Sequence, residues 1–262
     1  MTDFTIIIQG PLHPVSISNI DNYLKFGKVI VSCWLGDADQ YLTEEAKKAG
    51  ATIIQTDETT LLPSFNISNV YKQAISTLNG ATIADTDFVI KTRSDERYSE
   101  LSVAMEKMLA NPDKIVTDSR AHRDSFLKFF LSDHFLIMKK DLCVKAFSIL
   151  KKRLENPTFE YDIRAKGSWN IFGVKVNPYS PDSEFGGDTV LYPEQMITLA
   201  ILEAKGLPLD PARSKELMLN NFEVIPLKSL GKVKWRPNAL NGIGYDENFP
   251  PSGPNSIQEL IG

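Results

Sequence analysis

Asp87-Phe88-Val89-Ile90-Lys91-Thr92-Arg93-Ser94-Asp95-Glu96-Arg97 is an apolar strand pattern that runs, with no turn residue between, into a cluster of basic and acidic side chains. An open α/β sheet presents charged chemistry in this way, because its ligands bind outside the carboxyl ends of the strands. Arg93, Ser94, Asp95 and Glu96 therefore stand where a phosphate-bearing, metal-chelated substrate would meet them. The plainer reading of the same residues is a strand entering a solvated turn.

Upstream of this stretch the chain alternates. Residues 5–8 form a short β-branched run closed by Gln9-Gly10-Pro11, and residues 28–34 repeat the pattern before Leu35-Gly36-Asp37. A helix-like stretch with Glu44, Glu45, Ala46, Lys47 and Lys48 ends at Gly50, and residues 51–56 predict a third strand. The clearest helix covers residues 67–78, with Ile67, Val70, Tyr71, Ala74, Ile75 and Leu78 on one stripe and Gly80 as its stop. Residues 88–92 are then a fourth strand, so the first half follows the β-α-β rhythm of a parallel sheet covered on both faces.

Downstream, residues 101–109 and 141–154 predict helices, and residues 126–138 read as extended and apolar, which implies an antiparallel element. Residues 156–192 carry several prolines and glycines with little periodicity, a span suited to an acceptor-binding or lid segment. Pro193 to Gly206 restores a helix, with proline in its first turn and glycine past its end. The expected fold class is thus α/β: a single Rossmann-like domain over residues 1–262 with a mainly parallel central sheet, helices on both faces and a smaller antiparallel element. Residues 1–98 form its regularly alternating half, residues 99–236 its less regular half, and residues 237–262 a tail rich in Pro, Gly and Asn.

Composition narrows the function. At 262 residues, 42% hydrophobic and 24% charged, the chain can bury a substantial core. A formal charge of -4 and a pI near 5.5 leave no broad cationic field, so nucleic acid is not an expected partner. Cys33 and Cys143 each lie in an apolar segment and read as buried thiols in a reducing cytoplasm. The N-terminus lacks the pattern of a secretion signal and no segment reaches the roughly 20 apolar residues of a membrane span, so any membrane contact is expected to be peripheral, at the inner face.

The strand ends gather Gln9 to Leu12, Ser32 to Asp37, Gln55 to Glu58 and Arg93 to Glu96 on one rim. Neither a dinucleotide fingerprint nor a P-loop lysine motif follows the first strand, which sets aside NAD and Walker-type chemistry. Carboxylates after the fourth strand suit Mg2+ or Mn2+, hard cations that share carboxylate and phosphate oxygens. Arg93 could equally pair with Asp57 or Glu58. No histidine pair among His13, His122 and His134 has a zinc-ligand spacing.

Six ordered segments carry a resemblance. Gln9-Gly10-Pro11-Leu12, Val31-Ser32-Cys33-Trp34, residues 69–77 with Gln73 and Ser76, Lys91 to Glu96, Ser132-Asp133-His134-Phe135 and Pro193-Glu194-Gln195 resemble the WavE lipopolysaccharide-synthesis family. That resemblance implies a GT-A type glycosyltransferase, moving a sugar from a nucleotide donor to a surface-glycan acceptor with a divalent metal on an Asp-x-Asp motif. Here the matching stretch is Arg93-Ser94-Asp95-Glu96, so a single aspartate, Asp95, is the expected Mn2+ or Mg2+ ligand. Ser94 and Arg93 would contact the donor, as would Gln9, Gly10, Pro11 and Leu12, whose alternative role is a turn. Glu96 is either a helper or an exposed residue.

Glu194, at a helix start, is the expected catalytic base on the acceptor hydroxyl, or else an ordinary first-turn glutamate. The helix dipole favours its ionised form, so burial or nearby acids have to restore its basicity. Asp133 and His134, polar residues in an apolar run, form the other candidate. Asp133 would serve in catalysis and His134 in acceptor binding, unless His134 is a satisfied core histidine. Lys228, Lys232, Lys234 and Arg236 could clamp the departing diphosphate or form a solvated face. Two other classes remain: a sugar nucleotidyltransferase, for which the first-strand loop lacks a Gly-rich, arginine-bearing triphosphate cradle, and a non-catalytic glycan-binding module using Trp34, Trp169 and Trp235.

Overall fold

Every residue of the first strand, β1 (Phe4–Gln9), is buried, because it lies between two parallel neighbours and is covered on both faces, the arrangement that continuous apolar runs support. In the computed structural model, residues 4–36, 40–57, 65–119, 128–155, 158–160, 168–170, 175–176, 193–231 and 233–234 are described. Helix α1 (Pro14–Tyr23) leads to β2 (Lys28–Trp34), α2 (Gln40–Lys48), β3 (Thr52–Thr56), α3 (Phe65–Ile83) and β4 (Phe88–Arg93). The two-residue β5 (Arg97–Tyr98), α4 (Ser102–Ala110), β6 (Ile115–Asp118), β7 (Leu136–Lys139) and α5 (Lys140–Glu155) follow. The short strands β8 (Thr158–Glu160), β9 (Ser168–Asn170) and β10 (Lys175–Val176) precede α6 (Pro193–Ala204), α7 (Ser214–Asn221), β11 (Phe222–Ile225) and β12 (Val233–Lys234).

The central sheet has the order β11-β6-β7-β4-β1-β2-β3. Only β7 runs against the others, antiparallel to both β4 and β6. Side-chain alternation divides the core. Ile7 and Val89 join α3, α5 and α6 on one face, while Ile6, Ile8 and Ile90 join residues of α1, α2 and α4 on the other. The α/β class, the mainly parallel sheet and the antiparallel element are as the residue pattern predicts.

Three local expectations change. Gly80 does not stop α3, which runs on to Ile83. A Cβ at Gly80 would lie 2.6 Å from Cγ2 of Ile7, so this glycine lets the helix seat closely on β1 instead of ending it. Residues 128–135 are an irregular approach and only Leu136–Lys139 is strand. Their apolar character comes from burial in that approach, where Phe129, Leu131 and Phe135 are core residues. Strands β6 and β11 and helix α7 also enter the fold without having been singled out in the sequence. The acceptor-binding or lid reading of residues 156–192 falls on residues that, apart from the backbone of β8, β9 and β10, lie outside the described ones, as do the tail from residue 237 and the side chains of Trp169 and Trp235.

Candidate active site at the carboxyl rim of the sheet

The parallel register sets Gln9 opposite both Ser32 and Arg93, so the ends of β1, β2 and β4 share one rim. Gly10 turns the chain there with φ +115, and a Cβ on it would come within 2.8 Å of Ser94 Oγ. The Ser94 amide donates to the Gln9 carbonyl at 2.9 Å. The glycine corner and the motif after β4 are therefore in contact, with Leu12 buried beneath them and Pro11 exposed.

One face of α1 holds the motif in place. Ser16 Oγ donates to the Ser94 carbonyl, Asn19 Nδ2 to that of Glu96 and Asn22 Nδ2 to that of Tyr98, at 2.8, 2.6 and 2.9 Å. These bonds satisfy backbone acceptors that would otherwise be buried unmet. A polar stripe at every third position of a helix was the signal for this clamp, and the sequence reading passed over it.

Arg93 forks onto Asp95, with Nε to Oδ1 and Nη2 to Oδ2 both at 3.0 Å. It pairs with Asp95 rather than with Asp57, and lies 3.7 Å from Glu96 Oε1. Burial opposes the guanidinium charge, but Asp95, Glu96 and Asp133 outweigh it and hold Arg93 charged. Glu96 is buried, 1% exposed, which removes the exposed alternative. Its Oε2 accepts from the Tyr98 hydroxyl at 2.7 Å and its Oε1 meets Nδ1 of His134.

Because β7 is antiparallel to β4, with Leu136 opposite Lys91, the residues before β7 arrive at the carboxyl end of β4. This brings Asp133 and His134, both buried, to the rim. Lys128 and Phe129 are pinned from below by Gln195 Nε2, which donates to the Lys128 carbonyl at 2.8 Å, and by Ser214 Oγ, which accepts from the Phe129 amide at 2.9 Å. Phe129 holds φ 59, a strained value for an aromatic residue, at the foot of this approach.

Lys91 shares the strand face of Val89 and is 0% exposed. Its Nζ donates to Gln73 Oε1 of α3 at 2.6 Å and to the Asp133 carbonyl, and lies 3.8 Å from Asp133 Oδ2. Burial draws Lys91 below the usual lysine range, with Asp133 opposing. Burial pushes the Asp133 carboxyl up, yet Lys91, and behind it His134 and Arg93, outweigh that and leave it well below the usual carboxylate range.

Glu194, in the first turn of α6, is buried rather than an exposed first-turn residue. Burial first, then the Asp133 charge, pushes it up to about 7. The helix-end effect, about 0.3–1 kcal/mol, loses to these. Asp133, His134 and Glu194 offer ligand atoms all within 4.8 Å of one another, and among the described residues they are the group able to hold a metal ion. Two carboxylates and an imidazole suit a first-row divalent ion. Asp95 lies outside that group, with both oxygens on Arg93.

Of the basic residues near the tail, Lys228 is exposed, and the backbone of Val233–Lys234 pairs with β5 beside the motif. Lys232, Arg236 and the Lys234 side chain lie outside the described residues. Trp34 is packed against α3, with Nε1 donating to the Lys72 carbonyl at 3.4 Å.

No family model matches the chain, and no curated protein matches it. Several solved structures are similar to part of the chain. HddC from Yersinia pseudotuberculosis, also solved with GMP-PN, is 12% identical over 55% of this chain and 79% of its own, with a TM-score of 0.37. A cytidylyltransferase from Leptospira borgpetersenii is 18% identical over 57% and 65%, TM-score 0.37. A glycosyltransferase involved in glycosylation of the major capsid of PBCV-1 is 11% identical over 59% and 67%, TM-score 0.35. Nothing among these matches bears on the WavE resemblance, and the fold class stands on the strand order itself. No helix among the described residues is long and apolar enough to cross a membrane.

Proposed function

We propose that the chain is a nucleotide-sugar-dependent glycosyltransferase of GT-A type, acting on a hydroxyl of a surface-glycan or lipopolysaccharide-type acceptor. One observation carries the reading. A run of neighbouring groups joins the glycine corner at Gly10 to Ser94, Arg93 to Asp95 and Glu96, Glu96 to His134, and His134 to Asp133, with Glu194 within 4.8 Å of the last two. This clustering supports a reading in which a donor site and a proton acceptor share one rim.

In this reading residues 1–98 bind the donor. Gln9, Gly10, Pro11 and Leu12 take the nucleoside, and Ser94 and Arg93 take the ribose and diphosphate, with Arg93 fork-shaped for phosphate oxygens. Residues 99–236 bind the acceptor. Glu194, with a pKa raised to about 7, is poised to take the proton of the acceptor hydroxyl, while Asp133 stays ionised beside Lys91. His134 lines the acceptor side. A Mn2+ or Mg2+ ion, when bound, supplies charge stabilisation to the leaving diphosphate. The setting would be the cytoplasm, with any membrane contact peripheral.

The test is a panel of nucleotide sugars with a generic glycan acceptor, reading nucleoside diphosphate and pyrophosphate separately. Nucleoside diphosphate release that falls by about 100-fold or more in Glu194→Gln is the expected result. Pyrophosphate release would identify a nucleotidyltransferase instead. Sugar binding without either product would identify a glycan-binding module.

A further inference from the structure

We propose that Asp133 and His134, with Glu194 beside them, are the divalent-cation site of this protein, and that Glu96 is the positioning residue that aims His134 at the ion. Asp95, the ligand expected from the motif, would then be an Arg93 partner and not a metal ligand.

Four observations converge. First, Asp133 Oδ1 and His134 Nε2 lie 3.6 Å apart, a span that two donors each about 2.1 Å from one ion can present. The Glu194 carboxylate falls within 4.8 Å of both.

Second, the imidazole is oriented from behind. The Glu96 carboxylate takes Nδ1–H, so Nε2 is the nitrogen turned toward Asp133. A ligating histidine almost always gives its other N–H to a carboxylate or carbonyl. Glu96 is itself fixed, by the Tyr98 hydroxyl on Oε2 and by Asn19 on its carbonyl.

Third, the charges do not balance. When ionised, Asp95, Glu96, Asp118, Asp133 and Glu194 face Lys91 and Arg93, five carboxylates against two cations, an excess of three negative charges in a largely buried cluster. Such an excess is expensive in low dielectric. One divalent ion cancels most of it.

Fourth, Asp95 has both oxygens committed to Arg93. Breaking that fork to free a single carboxylate yields a poorer donor set than Asp133 and His134 already offer. The presence of an imidazole favours Mn2+, Co2+ or Zn2+ over Mg2+, which prefers oxygen ligands and its own water. The ion's part in sugar transfer rests on the reading above; its binding does not.

The experiment is a Co2+ titration of the full, metal-stripped chain without donor, followed by visible absorption. Native protein and Asp95→Asn should develop the same band with affinities within about 3-fold, whereas His134→Gln and Asp133→Asn should lose about 100-fold or more. Folding of each variant is checked by circular dichroism. On native protein, Mn2+ should broaden the ring signals of His134 at the lowest ion concentration. No Co2+ band in the native chain, loss of the band in Asp95→Asn with retention in His134→Gln, or Mn2+ broadening that spares His134 would each overturn the assignment. Metal binding without sugar transfer would overturn only the proposed activity, and transfer with no Co2+ site would overturn only this inference.

Discussion

The Glu96 carboxylate and the His134 imidazole meet through Oε1 and Nδ1, tying the turn after β4 to the approach into β7. Both groups are buried. Their contact places Nε2, the nitrogen away from Glu96, on the side of Asp133. The rim is therefore assembled from two polar turns, each of which depends on the other for its orientation.

Removing this bond should loosen the ion site without dissolving the fold. Glu96→Ala is expected to weaken Co2+ binding by about 10–100-fold. Glu96→Gln, whose amide oxygen can still accept from Nδ1, should lose less. Parallel Co2+ titrations check this, and equal affinity in all three proteins would show that Glu96 does not orient His134.

Lys91 stabilises Asp133 from beneath the rim. Replacing it by methionine, of similar length and apolar, leaves the Asp133 carboxylate buried beside an uncharged neighbour, which costs about 3–5 kcal/mol. Adding Asp133→Asn should recover most of that loss, because position 133 then carries no charge for Lys91 to balance. Urea unfolding of the two single variants and the double variant measures the coupling. Additive losses would mean that the 3.8 Å pair carries no interaction.

Gly10 allows the corner after β1 to fold against the motif. In Gly10→Ala the new methyl group would fall 2.8 Å from Ser94 Oγ on a backbone with φ +115, so a loss of about 1–3 kcal/mol is expected. A donor KM that rises more than kcat falls would match a seat for the nucleoside. An unchanged melting temperature would contradict the close contact.

Glu194 makes stability depend on pH in a definite direction. Its folded value of about 7 lies above the ordinary 4.5, so the native state holds the proton more tightly than the unfolded chain. That stabilisation is complete below pH 4.5 and is lost as pH rises through 7. Relative to Glu194→Gln, the metal-free native protein should therefore weaken between pH 4.5 and 8, by roughly 3 kcal/mol at most. Urea unfolding in a chelator across that range checks the sign. A difference that stayed flat or grew with pH would contradict the burial of Glu194.

Much of the rim was legible in residue order because it obeys local rules. The run Phe88-Val89-Ile90 is apolar at consecutive positions, as a strand covered on both faces has to be, and the charges of Arg93 to Glu96 follow at its carboxyl end. Glu194 was legible as the first acid of a helix that starts with proline. Lys91 was quoted with its motif and given no role, although a lysine on the Val89 face of a buried strand is a conspicuous misfit there. The link from Glu96 to His134 had no local signal, since the partners are separated by α4, β6 and the approach to β7.

By itself the sequence determined the alternation of strands and helices, the parallel first half, and the set of polar residues that end the strands, since these follow from side-chain period and turn chemistry within a few positions. Tertiary structure alone decided which of those polar residues touch. The reversed direction of β7 delivers Asp133 and His134 to the end of β4, and the seating of α6 delivers Glu194 to them. Burial and charge then act across that assembled pocket, raising Glu194, lowering Asp133 and committing Asp95 to Arg93, because electrostatic coupling depends on distance through space and not on separation along the chain.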